Sequence, residues 1–132
     1  MIDLNLNKLN SLNESEITCE NPILNICFYQ TDTLNEPVRE WLQQLTAGDK
    51  KIIGEDLKTI QFGWPLGMPL VKHVEGDIWE SRSKLKNGIA RIFFVLDGKS
   101  MILIHGFQKK QQRTPKPDLD LARTRIKNLR KQ

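Results

Sequence analysis

Between Asp77 and Phe107 the chain holds three β-rich runs, "DIWESRSKLK", "IARIFFVL" and "SMILIHGF", interrupted only at Asn87-Gly88 and Asp97-Gly98. Dipeptides of this kind are the strongest short-range hairpin signal, because Asn, Asp and Gly tolerate the positive φ that two-residue turns require. Two such turns in succession leave little choice, and the runs are expected to form an antiparallel meander.

The flanking segments supply helices. "ILNICFY" (Ile23–Tyr29) has the β-branched and aromatic content of a first strand. In "TDTLNEPVREWLQQL", Asn35 can cap, Pro37 suits a first helical turn, and Val38, Trp41, Leu42 and Leu45 form one apolar stripe. A second helix is predicted from Gly48 to Phe62, with Ile52, Ile53, Leu57 and Ile60 inward, and Pro65 and Pro69 end it. So short a link makes the pair an antiparallel helical hairpin. "LVKHV" reads as a short strand, "QKKQQRTPKP" as a basic loop, and Asp118–Arg130 as a last helix capped by Asp118, with Leu119, Ala122, Ile126 and Leu129 inward. The expected class is α+β: an antiparallel sheet in the order β-α-α-β-β-β-α, with an N-terminal helical hairpin and a C-terminal helix. Residues 1–22, rich in Asn, Ser and Glu, read as a poorly ordered extension, and 23–132 as one domain.

Alternation assigns side chains to faces. A two-residue turn at Asn87-Gly88 sets Lys84 against Arg91 and Arg82 against Phe93. Arg82, Lys84, Arg91, Phe93, Val95, Ile102 and Ile104 then share one face. Ile92, Phe94, Leu96, Met101, Leu103, His105 and Phe107 share the other, the more continuously apolar of the two. Opposed cations destabilise a ladder, so their presence asks for a reason. Either they serve a polyanion, with Lys109, Lys110 and Arg113 extending the patch, or they splay into solvent or pair with Glu80 and the acidic N-terminus. Arg binds phosphate through a bidentate fork, and a lysine can take the proton of a ribose 2′-hydroxyl.

Charge distribution favours a polyanion at the C-terminal end. The net charge is +4 overall, but Met1–Glu36 carries −5 and His105–Gln132 carries +7. Other classes find no support. The sequence lacks a run of ~20 apolar residues for a membrane helix, and "MIDLNLNKLN" has neither a basic nor an apolar signal region. Cys19 and Cys27 lack CxxC spacing, and His73 and His105 lie far apart, so free thiols in a reducing cytoplasm, no metal and no cofactor are expected.

Three segments together resemble the RelE/ParE toxin superfamily, most closely the phage-related, HigB-like branch of type II toxin–antitoxin systems. They are "EPVREWLQQL", the run from "GDIWESRSKLKNGIARIFFVLDGKS" to "MILIHGFQKKQQRTPKPDLDLARTR", and the strand before it. The likeness spans Ile23 to Lys131. It implies a cytoplasmic, ribosome-dependent mRNA interferase that cuts the message in the A site. The neighbouring 2′-hydroxyl attacks, leaving a 2′,3′-cyclic phosphate without a metal. A small antitoxin, usually with a helix-turn-helix domain, is the implied partner.

Carried over onto this chain, the resemblance makes Lys84 proton acceptor or phosphate ligand, Arg91 transition-state stabiliser and Lys109 a catalytic clamp. Arg82, Lys86, Lys110 and Arg113 become RNA-binding. The RelE pattern has a C-terminal tyrosine, whereas the sole tyrosine here is Tyr29. His105 is the one histidine in reach for acid–base work, although the register above places it on the core-packed face. A ParE-like gyrase inhibitor, or a member that only binds RNA or antitoxin, shares the same fold.

Overall fold

The computed structural model describes residues 21–109 and 115–131. The elements are β1 (Asn25–Phe28), α1 (Pro37–Gln43), α2 (Ala47–Gly63), β2 (Val71–Glu75), β3 (Ile78–Leu85), β4 (Gly88–Asp97), β5 (Ser100–Lys109) and α3 (Lys116–Arg130). The α+β class is as expected. The element order differs by one strand, because "LVKHV" contributes a full strand and four strands follow the helices. The sheet order is β1-β5-β4-β3-β2. It is mixed rather than antiparallel throughout, since β1 runs parallel to β5. The 1–22 extension, apart from its last two residues, lies outside the described residues.

Each helix forms where its stripe predicts, with small shifts. In α2 the Thr46 side chain accepts from the Asp49 amide, and Ile53, Leu57 and Ile60 are buried. Ile52 is 39% exposed, because a residue adjacent to a buried one is turned ~100° away on a helix. The N-cap of α1 is Glu36, which makes no side-chain cap bond, rather than Asn35. Helix α3 begins at Lys116, so Asp118 sits in its first turn instead of capping it.

The helices cover opposite faces of the sheet. Helices α1 and α2 lie on one face, over a core of Val38, Leu42, Ile53, Leu57, Ile92, Phe94, Met101 and Leu103. Trp64 packs edge-on against Trp79 within this layer, with ring centroids 5.0 Å apart. Helix α3 lies on the other face, where Ala122 and Ile126 meet Tyr29, Phe93, Val95, Ile102, Ile104 and Phe107. Burying one such large apolar side chain stabilises the fold by ~1.5–3 kcal/mol, so each face independently holds its helix.

Two departures from the expected register shape the site. At the β3–β4 hairpin Leu85 pairs with Gly88, leaving Lys86 and Asn87 as the turn centre. Neither has positive φ, while Gly88 follows at φ +134°, so the turn is not type I′. The whole register therefore slips by two residues, and Arg82, not Lys84, stands opposite Arg91. A slip of two preserves facing, so the expected faces of β3 and β4 survive.

The second departure is a bulge in β5 opposite Phe93/Phe94, where Ile104 is the extra residue. Beyond it the alternation inverts. His105 and Phe107 move to the Arg82 face, contrary to the sequence expectation, and Gly106 turns toward α1. A Cβ on Gly106 would lie 2.4 Å from the Trp41 ring. Only glycine lets the indole pack that close to the strand.

Candidate functional site

Three cross-strand rows build the face that carries the cations. Strand pairing sets Lys84, Ile89 and Lys109 side by side in the outermost row. Arg82, Arg91 and Phe107 form the next, and Lys72, Glu80, Phe93 and His105 the third. Rows on one face are ~7 Å apart and strands ~5 Å apart, so Lys84 and Lys109 flank Ile89 with Cα atoms ~10 Å from each other.

The rows differ in accessibility. Lys84 and Lys109 are exposed, as is Lys86 in the turn. Arg82 is 8% exposed and Arg91 fully buried, so the guanidinium expected at an open edge lies inside the fold. Lys110 and Arg113 lie outside the described residues. The patch is thus two exposed lysines in front of two buried arginines.

What makes the burial of Arg91 tolerable is Glu80, itself fully buried. Its carboxylate lies 3.6 Å from Arg82 Nη1 and 3.9 Å from Arg91 Nη1. The slipped register creates this arrangement: Glu80 is paired with Phe93 and so sits diagonal to Arg91. In the expected register Glu80 would have faced Val95, two rows from Arg91. Burial pushes the Glu80 carboxyl upward, against the pull of Arg91, Arg82 and Lys72. Burial likewise lowers Arg91, against the pull of Glu80. The cluster is therefore held at a desolvation cost, with more positive than negative charge. Alternation marks Glu80 in the sequence two residues before Arg82, but only the register shows which arginines it joins.

His105 belongs to a separate constellation beneath α3. Its Nε2–H donates to Asp118 Oδ1 at 2.7 Å, and its ring stacks on Phe107 at 5.3 Å. Arg125 Nη1 donates to the Ile104 carbonyl at 2.9 Å and approaches His105 Nδ1 at 3.5 Å. A donor at Nδ1 places the imidazole proton on Nε2. Burial lowers the His105 pKa, outweighing Asp118, so the neutral ring is the favoured form. Its hydrogen bonds fasten α3 to β5. In the sequence Asp118 reads only as a helix cap and Arg125 gives no signal, because their partner is set by how α3 crosses the sheet.

A cleft of about 420 Å³ opens at the outer end of β3, lined by Asp56, Met68, Pro69, Leu70, Arg82, Lys84 and Ile89. It adjoins the Lys84–Ile89 row, and sequence reading did not identify Asp56 or Met68 with the site. Among the described residues no three His, Cys, Asp or Glu side chains cluster as a metal site, and no helix is long and apolar enough to cross a membrane.

The family model described as phage derived protein Gp49-like (DUF891) matches residues 40–127. The matched span runs from α1 into α3 and includes all three rows of the site. No curated protein matches the sequence significantly. The match covers two thirds of the 132 residues, and the chain accordingly belongs to the Gp49-like family of phage-derived proteins, a RelE-like toxin family.

Proposed function

We propose that this protein is the toxin of a type II toxin–antitoxin system, of the HigB-like branch, acting as a ribosome-dependent, metal-independent mRNA endoribonuclease in the cytoplasm. The observation that carries this reading is the pair of exposed lysines, Lys84 and Lys109, set ~10 Å apart in front of the Arg82–Arg91 row. A gyrase-binding surface has no need of such an arrangement, whereas a scissile phosphate does.

In this mechanism the 2′-oxygen bonds to phosphorus as the P–O5′ bond breaks, water taking up the 2′-hydroxyl proton and returning one to the departing 5′-oxygen, which leaves as a 5′-hydroxyl. Charge gathers on the non-bridging oxygens of the five-coordinate transition state. Lys84 and Lys109 bracket those oxygens as ammonium groups. Arg91 acts through its fixed positive field from behind, since its side chain is covered. Charge held in place in a poorly solvated site stabilises a transition state without reorganisation. His105 positions α3 and the Phe107 ring and is not assigned a proton transfer. Lys86, together with Lys110 and Arg113 outside the described residues, contributes further RNA-binding cations. A small antitoxin, with a helix-turn-helix domain, would silence the site.

The test is a reconstituted translation reaction with message ends mapped by primer extension, run with and without ribosomes. Codon-spaced cuts that require ribosomes and disappear in Lys84→Ala support the reading. Absence of cuts with folded wild-type protein would sink it. Cuts that persist in Lys84→Ala and in Lys109→Ala would keep the nuclease and discard this site.

A further inference from the structure

The cleft beside the lysine pair has features that phosphate binding does not use. Its walls include the exposed Met68 (60% accessible), Pro69 and the half-buried Ile89. Lys84 lines it from β3, and α2 contributes Asp56, the single acid of the lining. Among the described residues Asp56 makes no hydrogen bond or ion pair. A site built solely for phosphate would exclude an unneutralised carboxylate.

We infer that this cleft is a nucleobase subsite that selects guanine, with Met68 and Ile89 against the ring and the Asp56 carboxylate and Lys84 ammonium reading its edge. The inference rests on the nuclease reading for the position of the base, next to the scissile phosphate, because Lys84 and Ile89 belong to both cleft and phosphate row. Single-stranded RNA is recognised by splaying out a base, covering its face and bonding its Watson–Crick edge. Guanine presents O6 as acceptor beside N1–H and N2–H as adjacent donors. An ammonium beside a two-oxygen carboxylate complements that order. Adenine and cytosine offer a single amino donor next to ring acceptors, which would face the carboxylate. Uracil matches O4 and N3–H but lacks the second donor. The cleft volume, about 420 Å³, falls within the range of small-ligand sites.

The experiment is a titration of ¹⁵N-labelled protein with the four ribonucleoside 5′-monophosphates, followed by amide shifts and repeated on Asp56→Asn. Guanosine monophosphate is expected to shift the amides of Asp56, Lys84 and Ile89 saturably, and to bind about tenfold more tightly than the other three. In Asp56→Asn that preference should flatten to the level of a shared phosphate contact, with the remaining spectrum unchanged. Equal binding of all four nucleotides to wild-type protein would overturn the inference, as would a guanine preference that survives Asp56→Asn. Because this readout needs no cleavage, it separates the two claims. Guanine selectivity in a protein that cuts no message would retain the subsite and remove the nuclease. Ribosome-dependent cuts without nucleotide selectivity would do the reverse.

Discussion

Replacing Glu80 by Gln tests the internal electrostatics of the site most directly. The substitution keeps the shape but leaves Arg82, Arg91 and Lys72 facing one another around a neutral amide. At 3.6 and 3.9 Å, each ion pair is worth roughly 4–5 kcal/mol at an effective dielectric of about 20, before desolvation is subtracted. Removing one partner of a buried pair leaves uncompensated charge and costs about 3–5 kcal/mol. That is a large share of the ~5–15 kcal/mol that holds a domain together, and it corresponds to a fall in Tm on the order of 10–20 °C.

Urea unfolding at pH 7, followed by tryptophan fluorescence, would measure the loss for Glu80→Gln, Arg91→Met and the double variant. The double should lose markedly less than the two singles combined, since the stranded charge is then removed with its partner. A loss under about 1 kcal/mol, together with additive single effects, would refute the account of Glu80 as the anion that makes Arg91 burial tolerable.

Three further outcomes follow from the geometry. Lys84→Ala and Lys109→Ala, both at exposed positions, should leave stability within about 0.5 kcal/mol by urea titration. Each should also reduce the salt dependence of RNA binding by about 0.7 in log–log slope, measured by fluorescence anisotropy across a salt series. His105 has its pKa lowered from 6.5, so the unfolded chain binds more protons below that pH. Stability should fall as pH drops below about 6.5, and thermal melts of His105→Asn should show a flatter profile. Gly106→Ala forces a Cβ into the Trp41 ring and should cost about 1–3 kcal/mol, with a change in the near-ultraviolet circular dichroism of the tryptophans.

Much of this protein is legible in local pattern. The hairpin dipeptides mark where the strands end, helical periodicity picks out Val38, Leu42, Ile53, Leu57, Ile60, Ala122 and Ile126, and alternation places Arg82, Lys84 and Arg91 on one face. Such features depend on near neighbours along the chain, and steric preferences there are strong enough to decide them. The two-residue slip left the face assignment intact because facing depends only on parity. What that slip changed is the identity of the partners, and with it the link between Glu80 and Arg91. The β5 bulge lies further out of reach, since it answers to Trp41, a residue of a helix distant in sequence. It transferred His105 and Phe107 across the sheet.

Sequence alone therefore determined the helices, the meander and a cation-bearing face, because each follows from local turn chemistry and periodicity. Tertiary structure alone decided that Arg91 is covered and Lys84 open, and that Asp56 of a helix lines a cleft together with Lys84 and Ile89 of the sheet. Those facts depend on which distant surfaces can be packed together without a void or an uncompensated charge, a condition no short window of sequence contains.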